Sequence, residues 1–263
     1  MLLDVMPVLR DALAIGGEVL MRHFGKVEAE RKGAIDLVTV ADRESEEKII
    51  ARIRADFPDH AILAEEGGAR ESEGAAWRWI IDPLDGTTNY THSLPMFCVT
   101  IGVEHRGEVV AGGTFNPLTD ELFLAEKGAG ATRNGEPMRV SACADIDDAL
   151  VVTGFPYDRR EKVAYYMAQF GVMLARTQGV LRLGSAGMDF AAVAAGRLEV
   201  FWERGLHPWD VAAGKLLVEE AGGRTSQFDG SAFDVYGGSF LATNGALHDE
   251  IVEILSGCPP WQA

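Results

Sequence analysis

Residues 79–89, Trp79-Ile-Ile-Asp82-Pro-Leu-Asp85-Gly-Thr-Thr-Asn89, constrain the fold more than any other stretch. Apolar residues from Trp77 run into Asp82, as a strand that ends at a carboxylate. Pro83 stiffens the turn that follows and brings no N–H, so a nearby carbonyl such as that of Leu84 is left to face a cation. Gly86 and Thr87 then offer backbone N–H groups at a helix start, where an anion is welcome. Asp-Pro and Asp-Gly are also common turn pairs, so this block alone fits a plain turn as well.

Around it the pattern predicts a helix over 3–24 ending near Gly25, a polar loop over 26–36, and a helix over 42–55 closed by Pro58. Strands are expected at 61–64, 77–81, 97–104, 108–115 and 121–126, with a hairpin at His105-Arg-Gly and turns at Gly128 and Asn134. The second half reads as strand 149–154, helix 159–176, strand 180–183, helix 186–195, strand 198–202, helix 209–221, strand 241–243 and helix 246–255. An α+β first half (1–144) and an α/β second half (145–263) are expected, joined near residues 141–148.

Three further acidic groups stand out: Glu65-Glu66-Gly-Gly after a short apolar strand, the pair Asp36 and Asp42 flanking an apolar strand, Leu-Val-Thr-Val-Ala, and Asp210 in His207-Pro-Trp-Asp. Each alone fits surface acidity or helix capping, Asp42 and Asp210 by their place at helix starts. Two carboxylates about 4 Å apart repel by roughly 4 kcal/mol at an effective dielectric near 20. Several converging carboxylates therefore need protons or a cation, and oxygen-only ligands point to magnesium. Net charge is −16, which is at odds with a basic stripe for nucleic acid. The cysteines Cys98, Cys143 and Cys258 form no Cys-x-x-Cys pair, so reduced thiols in a cytoplasm are expected, with no disulfide framework or zinc knuckle. No leader and no membrane span is read from the sequence.

Taken in order, Asp36-Leu-Val-Thr, Glu65-Glu66, Trp79 to Tyr90, Gly184-Ser-Ala-Gly, Trp209-Asp-Val-Ala-Ala-Gly and Glu220-Ala-Gly-Gly resemble the inositol monophosphatase family over roughly residues 5–255. The resemblance implies a layered α-β-α-β-α sandwich of the sugar phosphatase type, a homodimer, and lithium-sensitive hydrolysis of inositol 1-phosphate or a similar polyol phosphate. It implies that Glu65, Asp82 and the Leu84 carbonyl hold one magnesium and that Asp82, Asp85 and Asp210 hold a second. A third ion would lean on Glu65. The first half would then carry most metal ligands, and the second half Asp210 and the substrate contacts. Thr87 would orient the attacking water and be held by Asp42, with the Gly86 and Thr87 amides on phosphate. Asp85, Ala186, Glu203 and Asp210 would meet substrate hydroxyls. Lys32 or Arg31 would stand near a family lysine in a loop one residue shorter here. Arg182 is a candidate for anion contact, for a dimer surface, or for plain surface charge; His207 and Trp209 are expected to pack beside Asp210.

Sibling substrates in such a family are fructose 1,6-bisphosphate, histidinol phosphate and 3′-phosphoadenosine 5′-phosphate. Glu203 favours the polyol. Some bacterial relatives also act in transcription complexes, so a regulatory, protein-contacting role is the reading from a different class; direct nucleic-acid or membrane binding is not expected.

Overall fold

The computed structural model describes residues 4–26, 30–31, 37–70 and 74–259. Its helices are α1 (Met6–His23), α2 (Val40–Asp56), α3 (Thr87–Thr91), α4 (Val163–Arg176), α5 (Ala186–Ala194), α6 (Pro208–Glu220) and α7 (His248–Ser256). Strands from residues 61 to 137 form one eight-stranded sheet, and strands from 150 to 243 form a second sheet of five.

The larger sheet is mostly a meander. From Trp77–Asp85 onward, neighbours in sequence pair antiparallel through Cys98–His105, Glu108–Asn116 and Glu121–Glu126. Ala61–Ala64 departs from this and lies parallel to Trp77–Asp85. The His105-Arg-Gly hairpin is present, with Arg106 and Gly107 both at positive φ, as a tight two-residue turn requires. The smaller sheet runs Gly179–Leu181, Leu150–Thr153, Val200–Arg204, Ser239–Thr243, Arg224–Ser226. Its first three strands are parallel and its last pairings antiparallel.

Three apolar interfaces order these layers. Leu9, Leu13 and Leu20 of α1 and Ile49 and Ile53 of α2 pack on Trp79, Ile81, Val99 and Ile101, one face of the larger sheet. Phe190 of α5 and Val211 and Leu217 of α6 fill the space between the other face and Phe201, Phe240 and Ala242 of the smaller sheet. Met173 of α4 and Ile251, Ile254 and Leu255 of α7 cover Val200, Trp202 and Leu241 behind it. The result is the expected α+β fold, an α-β-α-β-α stack, and alternate residues of each strand serve opposite interfaces because side chains alternate across a sheet.

Two local expectations are corrected. Asp42 is not the N-cap of α2. Thr39 is: its Oγ1 accepts from the Ala41 amide at 3.1 Å, while Asp42, in the first turn, accepts from the Thr39 amide at 2.9 Å and hydroxyl at 2.6 Å. The segment before it is therefore strand only at Leu37–Val38, since capping commits Thr39 to the helix. A strand at Arg224–Ser226 has no sequence counterpart; it is three polar residues long and shows no alternation to read.

Candidate active site

The strand Trp77–Asp85 does not stop at Asp82. It continues through Pro83 to Asp85 with a bulge: Asp82 faces Thr100, and Asp85 faces Cys98. Three steps along one strand thus oppose two along its partner. In regular pleating, residues three apart point to opposite faces; the extra residue brings both aspartates round to one side. The expected proline turn is thus a bulge within a strand, tolerable because Pro83 needs no ladder donor there.

Asp82, Asp85 and Asp210 each present a carboxylate oxygen within 4.8 Å of the others. They face a cleft of about 320 Å3 whose walls include Glu65, Leu84, Gly86, Thr87, Ala186 and Glu203. Asp85 is the most firmly held. Its Oδ2 accepts from the Ser185 hydroxyl at 2.6 Å and the Gly187 amide at 2.7 Å, and its Oδ1 from the Ala186 amide at 3.3 Å. Asp210, in the first turn of α6, accepts from the His207 amide at 2.7 Å. Asp82 accepts from the Leu84 amide at 3.0 Å. Glu65 leaves the end of Ala61–Ala64, its amide tied to the Ile81 carbonyl at 3.2 Å.

Electrostatics follow from this crowding. Burial, then the charges of Glu65, Asp85 and Asp210, push Asp82 well above the usual carboxylate range. Burial and the Asp85 charge push Asp210 up to about 7. Glu203 rises to about 8, first by burial and then by Asp210, with Arg182 pulling the other way. Without a cation the pocket can only hold protons in place of one. The donors at the convergence are carboxylates, Leu84 lines the same cleft, and among the described residues no thiolate or imidazole belongs to the cluster, so the site fits a hard divalent ion.

Other expected residues fall as follows. The Thr87 hydroxyl lies 3.1 Å from the Leu84 carbonyl and 3.4 Å from Asp42 Oδ1, so the carbonyl is the nearer partner and one of its two lone pairs remains. Burial raises Asp42 to about 6. Gly86 caps α3 in the left-handed region, φ 89°. Lys32 lies outside the described residues, as does the side chain of Arg31. His207 and Trp209 stack with ring centroids 4.8 Å apart, and both line the cleft, so they shape its mouth besides packing near Asp210.

Ser185 was not legible as a site residue. Its role depends on a meeting with Asp85 across 100 positions of sequence. Gly154, Phe155 and Arg159 also wall the cleft unannounced. Gly154 has a clear physical reason: a Cβ there would overlap the Glu203 carboxylate. Gly154→Ala is expected to displace Glu203 and lower kcat/KM by about 10-fold or more, because displacements near 1 Å carry large rate costs. Unchanged kinetics would mean that Glu203 has no fixed place in the reaction.

The inositol monophosphatase family model matches residues 1–259. An inositol-1-monophosphatase from Synechocystis is 44% identical over 256 residues, covering 97% of this chain and 89% of the relative. A protein named Nus factor SuhB, from Pseudomonas aeruginosa, is 41% identical over 248 residues, covering 90% of this chain and 92% of its own. The solved inositol monophosphatase of an Anabaena species superposes with a TM-score of 0.89 at 43% identity, covering 97% of this chain and 96% of that one. With this match along its length and a carboxylate cluster fit for a metal at its centre, the chain belongs to the inositol monophosphatase family of metal-dependent phosphomonoester hydrolases.

Proposed function

We propose that the chain hydrolyses inositol 1-phosphate or a closely similar polyol phosphate, with magnesium as its metal. The observation that carries this reading is the convergence of Asp82, Asp85 and Asp210 in the cleft that also holds Glu65 and Glu203. Glu65, Asp82 and the Leu84 carbonyl would hold one ion, Asp82, Asp85 and Asp210 a second, and a third would lean on Glu65. Bound there, magnesium supplies Lewis acidity toward the attacking water and the leaving alkoxide.

The protein's own groups do the rest. Asp85, fixed by Ser185 and the amides of 186 and 187, is preorganised and need not reorient. Glu65 and the Thr87 hydroxyl align the attacking water. The Gly86 and Thr87 amides take phosphate oxygens, and Asp85, Ala186, Glu203 and Asp210 meet the polyol hydroxyls. In the metal-free protein burial, then the Asp210 charge, raise Glu203 to about 8; with Asp210 on an ion that second cause weakens, and the Glu203 carboxyl faces the cleft as a hydrogen-bond partner for a hydroxyl. No covalent intermediate is needed, since water attacks phosphorus directly.

Two further features support the wider reading. No helix among the described residues is long and apolar enough to cross a membrane, and the enzyme is taken to work in the cytoplasm. Val163, Met167 and Leu174 stay exposed along α4 at helical spacing, an apolar stripe suited to the homodimer contact that the family resemblance implies. We also take residues 1–144 and 145–263 as the two halves; that the strands of the smaller sheet all follow residue 145 supports this reading.

Phosphate release, titrated with magnesium over inositol 1-phosphate, fructose 1,6-bisphosphate, histidinol phosphate and 3′-phosphoadenosine 5′-phosphate, tests this. The polyol ester should be turned over best, and lithium should inhibit by displacing the second ion. Activity confined to the nucleotide would reject the polyol reading, and indifference to lithium the ion assignment. The Nus factor name of a 41% identical relative favours one second reading, contact with proteins of a transcription complex. An Asp85→Asn chain that loses phosphate release but keeps a cellular phenotype would support it.

A further inference from the structure

Asn89 closes the stretch that carries Asp82, Asp85, Gly86 and Thr87, yet it does not line the cleft. It lies in α3 and is 5% exposed. Its amino group meets three backbone carbonyls. Nδ2 donates to Met96 at 2.7 Å and to Leu183 at 2.8 Å, with the Gly184 carbonyl at 3.3 Å.

Those carbonyls come from two separate connections. Met96 stands just before the large-sheet strand Cys98–His105. Leu183 and Gly184 follow the small-sheet strand Gly179–Leu181 and lead into Ser185, the N-cap of α5. The next residues, 185 to 187, are the ones that hold the Asp85 carboxylate. Gly86 sits against the same two connections. A Cβ on it would come within 2.9 Å of the Met96 carbonyl, 3.2 Å of Ser185 Cβ and 3.3 Å of the Gly184 carbonyl. Thus the turn after Asp85 touches the loop before its clamp, and Asn89, one turn of helix on, grips both. Carbonyl oxygens gathered this closely repel one another unless donors stand among them. An asparagine amide brings two N–H donors and no charge, where a lysine would bring a buried charge.

We propose that Asn89 is a positioning residue for Asp85: by tying Leu183 and Gly184 to the Met96 connection, it fixes the Ser185-Ala186-Gly187 clamp and, through the clamp, the aim of the Asp85 carboxylate into the metal site. This rests on the metal assignment in the phosphatase reading above. Asp85 takes its short hydrogen bonds from Ser185 and Gly187, so a clamp free to drift lets the carboxylate turn away from Asp82 and Asp210. A cation then meets a looser set of ligands. Groups that orient a metal ligand without touching the metal carry about 10-fold to 100-fold of its affinity.

Asn89→Ala and Asn89→Asp test this in the full chain. Magnesium alone is titrated by calorimetry, and phosphate release from inositol 1-phosphate is followed against magnesium concentration. Asn89→Asp keeps the shape, removes both N–H donors and sets a carboxylate against three carbonyl oxygens, so it should be the more severe change. In both variants the magnesium Kd should rise about 10-fold or more, and the magnesium needed for half-maximal release should rise in step. A merely structural role lowers Tm and the folded fraction, but it does not move the Kd of the molecules that stay folded. Unchanged magnesium affinity in either folded variant, or failure of both to fold, overturns the assignment and leaves the phosphatase reading standing. An unsubstituted chain that neither binds magnesium nor releases phosphate from any of the esters named above overturns both.

Discussion

Asp82→Asn is expected to lower phosphate release by roughly 10³-fold or more, about 4 kcal/mol of activation free energy, while making the metal-free protein more stable. The two effects come from one cause. Asp82 is 2% exposed and sits among Glu65, Asp85 and Asp210, which all push its proton affinity up. Two carboxylates at such separations repel by roughly 4 kcal/mol at an effective dielectric near 20. Metal-free, the folded chain bears that repulsion or binds protons to escape it. An amide of nearly the same shape removes one charge and keeps an oxygen for the Leu84 amide at 3.0 Å. A gain of about 1–3 kcal/mol would raise Tm by roughly 5 °C, given about 2–4 °C per kcal/mol for a chain of this size. Titration calorimetry should show magnesium affinity falling with the activity. A variant that loses activity and is also destabilised without metal would mean that Asp82 serves the fold by its charge, and the cluster would not be a metal site.

That pairing of effects shows why the site was partly legible in sequence. The acidic residues themselves could be named, since each follows a strand end or opens a helix, and such places are marked by proline, glycine and a change of hydrophobic period. Their convergence could not. It depends on the bulge between Asp82 and Asp85, which reads in sequence as a turn because Asp-Pro and Asp-Gly are turn pairs. The Asp85 clamp is a sharper case. Ser185, Ala186 and Gly187 are small residues at a helix start, with nothing local to say which carboxylate they will meet. Gly154 is another: its lack of a side chain matters only because Glu203 lies against it. The fold was more readable. Helices α1, α4, α5, α6 and α7 and most strands fall within a few residues of their expected limits, because apolar residues recur in them with a fixed period or, in the fully buried α5 and Ser239–Thr243, run almost without interruption. The strand at 224–226 was missed, and Thr39 rather than Asp42 caps α2, because short polar segments obtain their structure from neighbours and not from their own pattern.

The metal-free protein is expected to lose stability as pH rises from about 5 to 8, and magnesium is expected to abolish that loss. The folded state raises Asp42 to about 6, Asp210 to about 7 and Glu203 to about 8, each by burial first. Asp189 belongs with them: both of its oxygens are buried without a hydrogen-bond partner, and burial, then the charges of Glu203 and Asp85, hold it well above the usual range. Unfolded, these groups titrate near pH 4. Between the two sets of values the folded chain binds more protons than the unfolded one, so stability is complete at low pH and falls as pH climbs through each folded value. A tenfold change in proton affinity between the folded and unfolded chain corresponds to about 1.4 kcal/mol, so even partial realisation gives several kcal/mol, or roughly 10 °C in Tm across the window. Magnesium competes with the protons at Asp82, Asp85 and Asp210, and binds more tightly as they leave, so its stabilisation grows with pH in the range where the protons' contribution fades. Glu203→Gln should reduce the metal-free slope across the whole window from about pH 5 to 8, because the folded and unfolded values of this group bracket it. Melting curves from pH 5 to 8, in chelator and in saturating magnesium, measure all of this. A metal-free Tm that climbed over the same interval would mean the carboxylates are comfortably charged in the fold, and that burial and mutual repulsion do not govern the pocket.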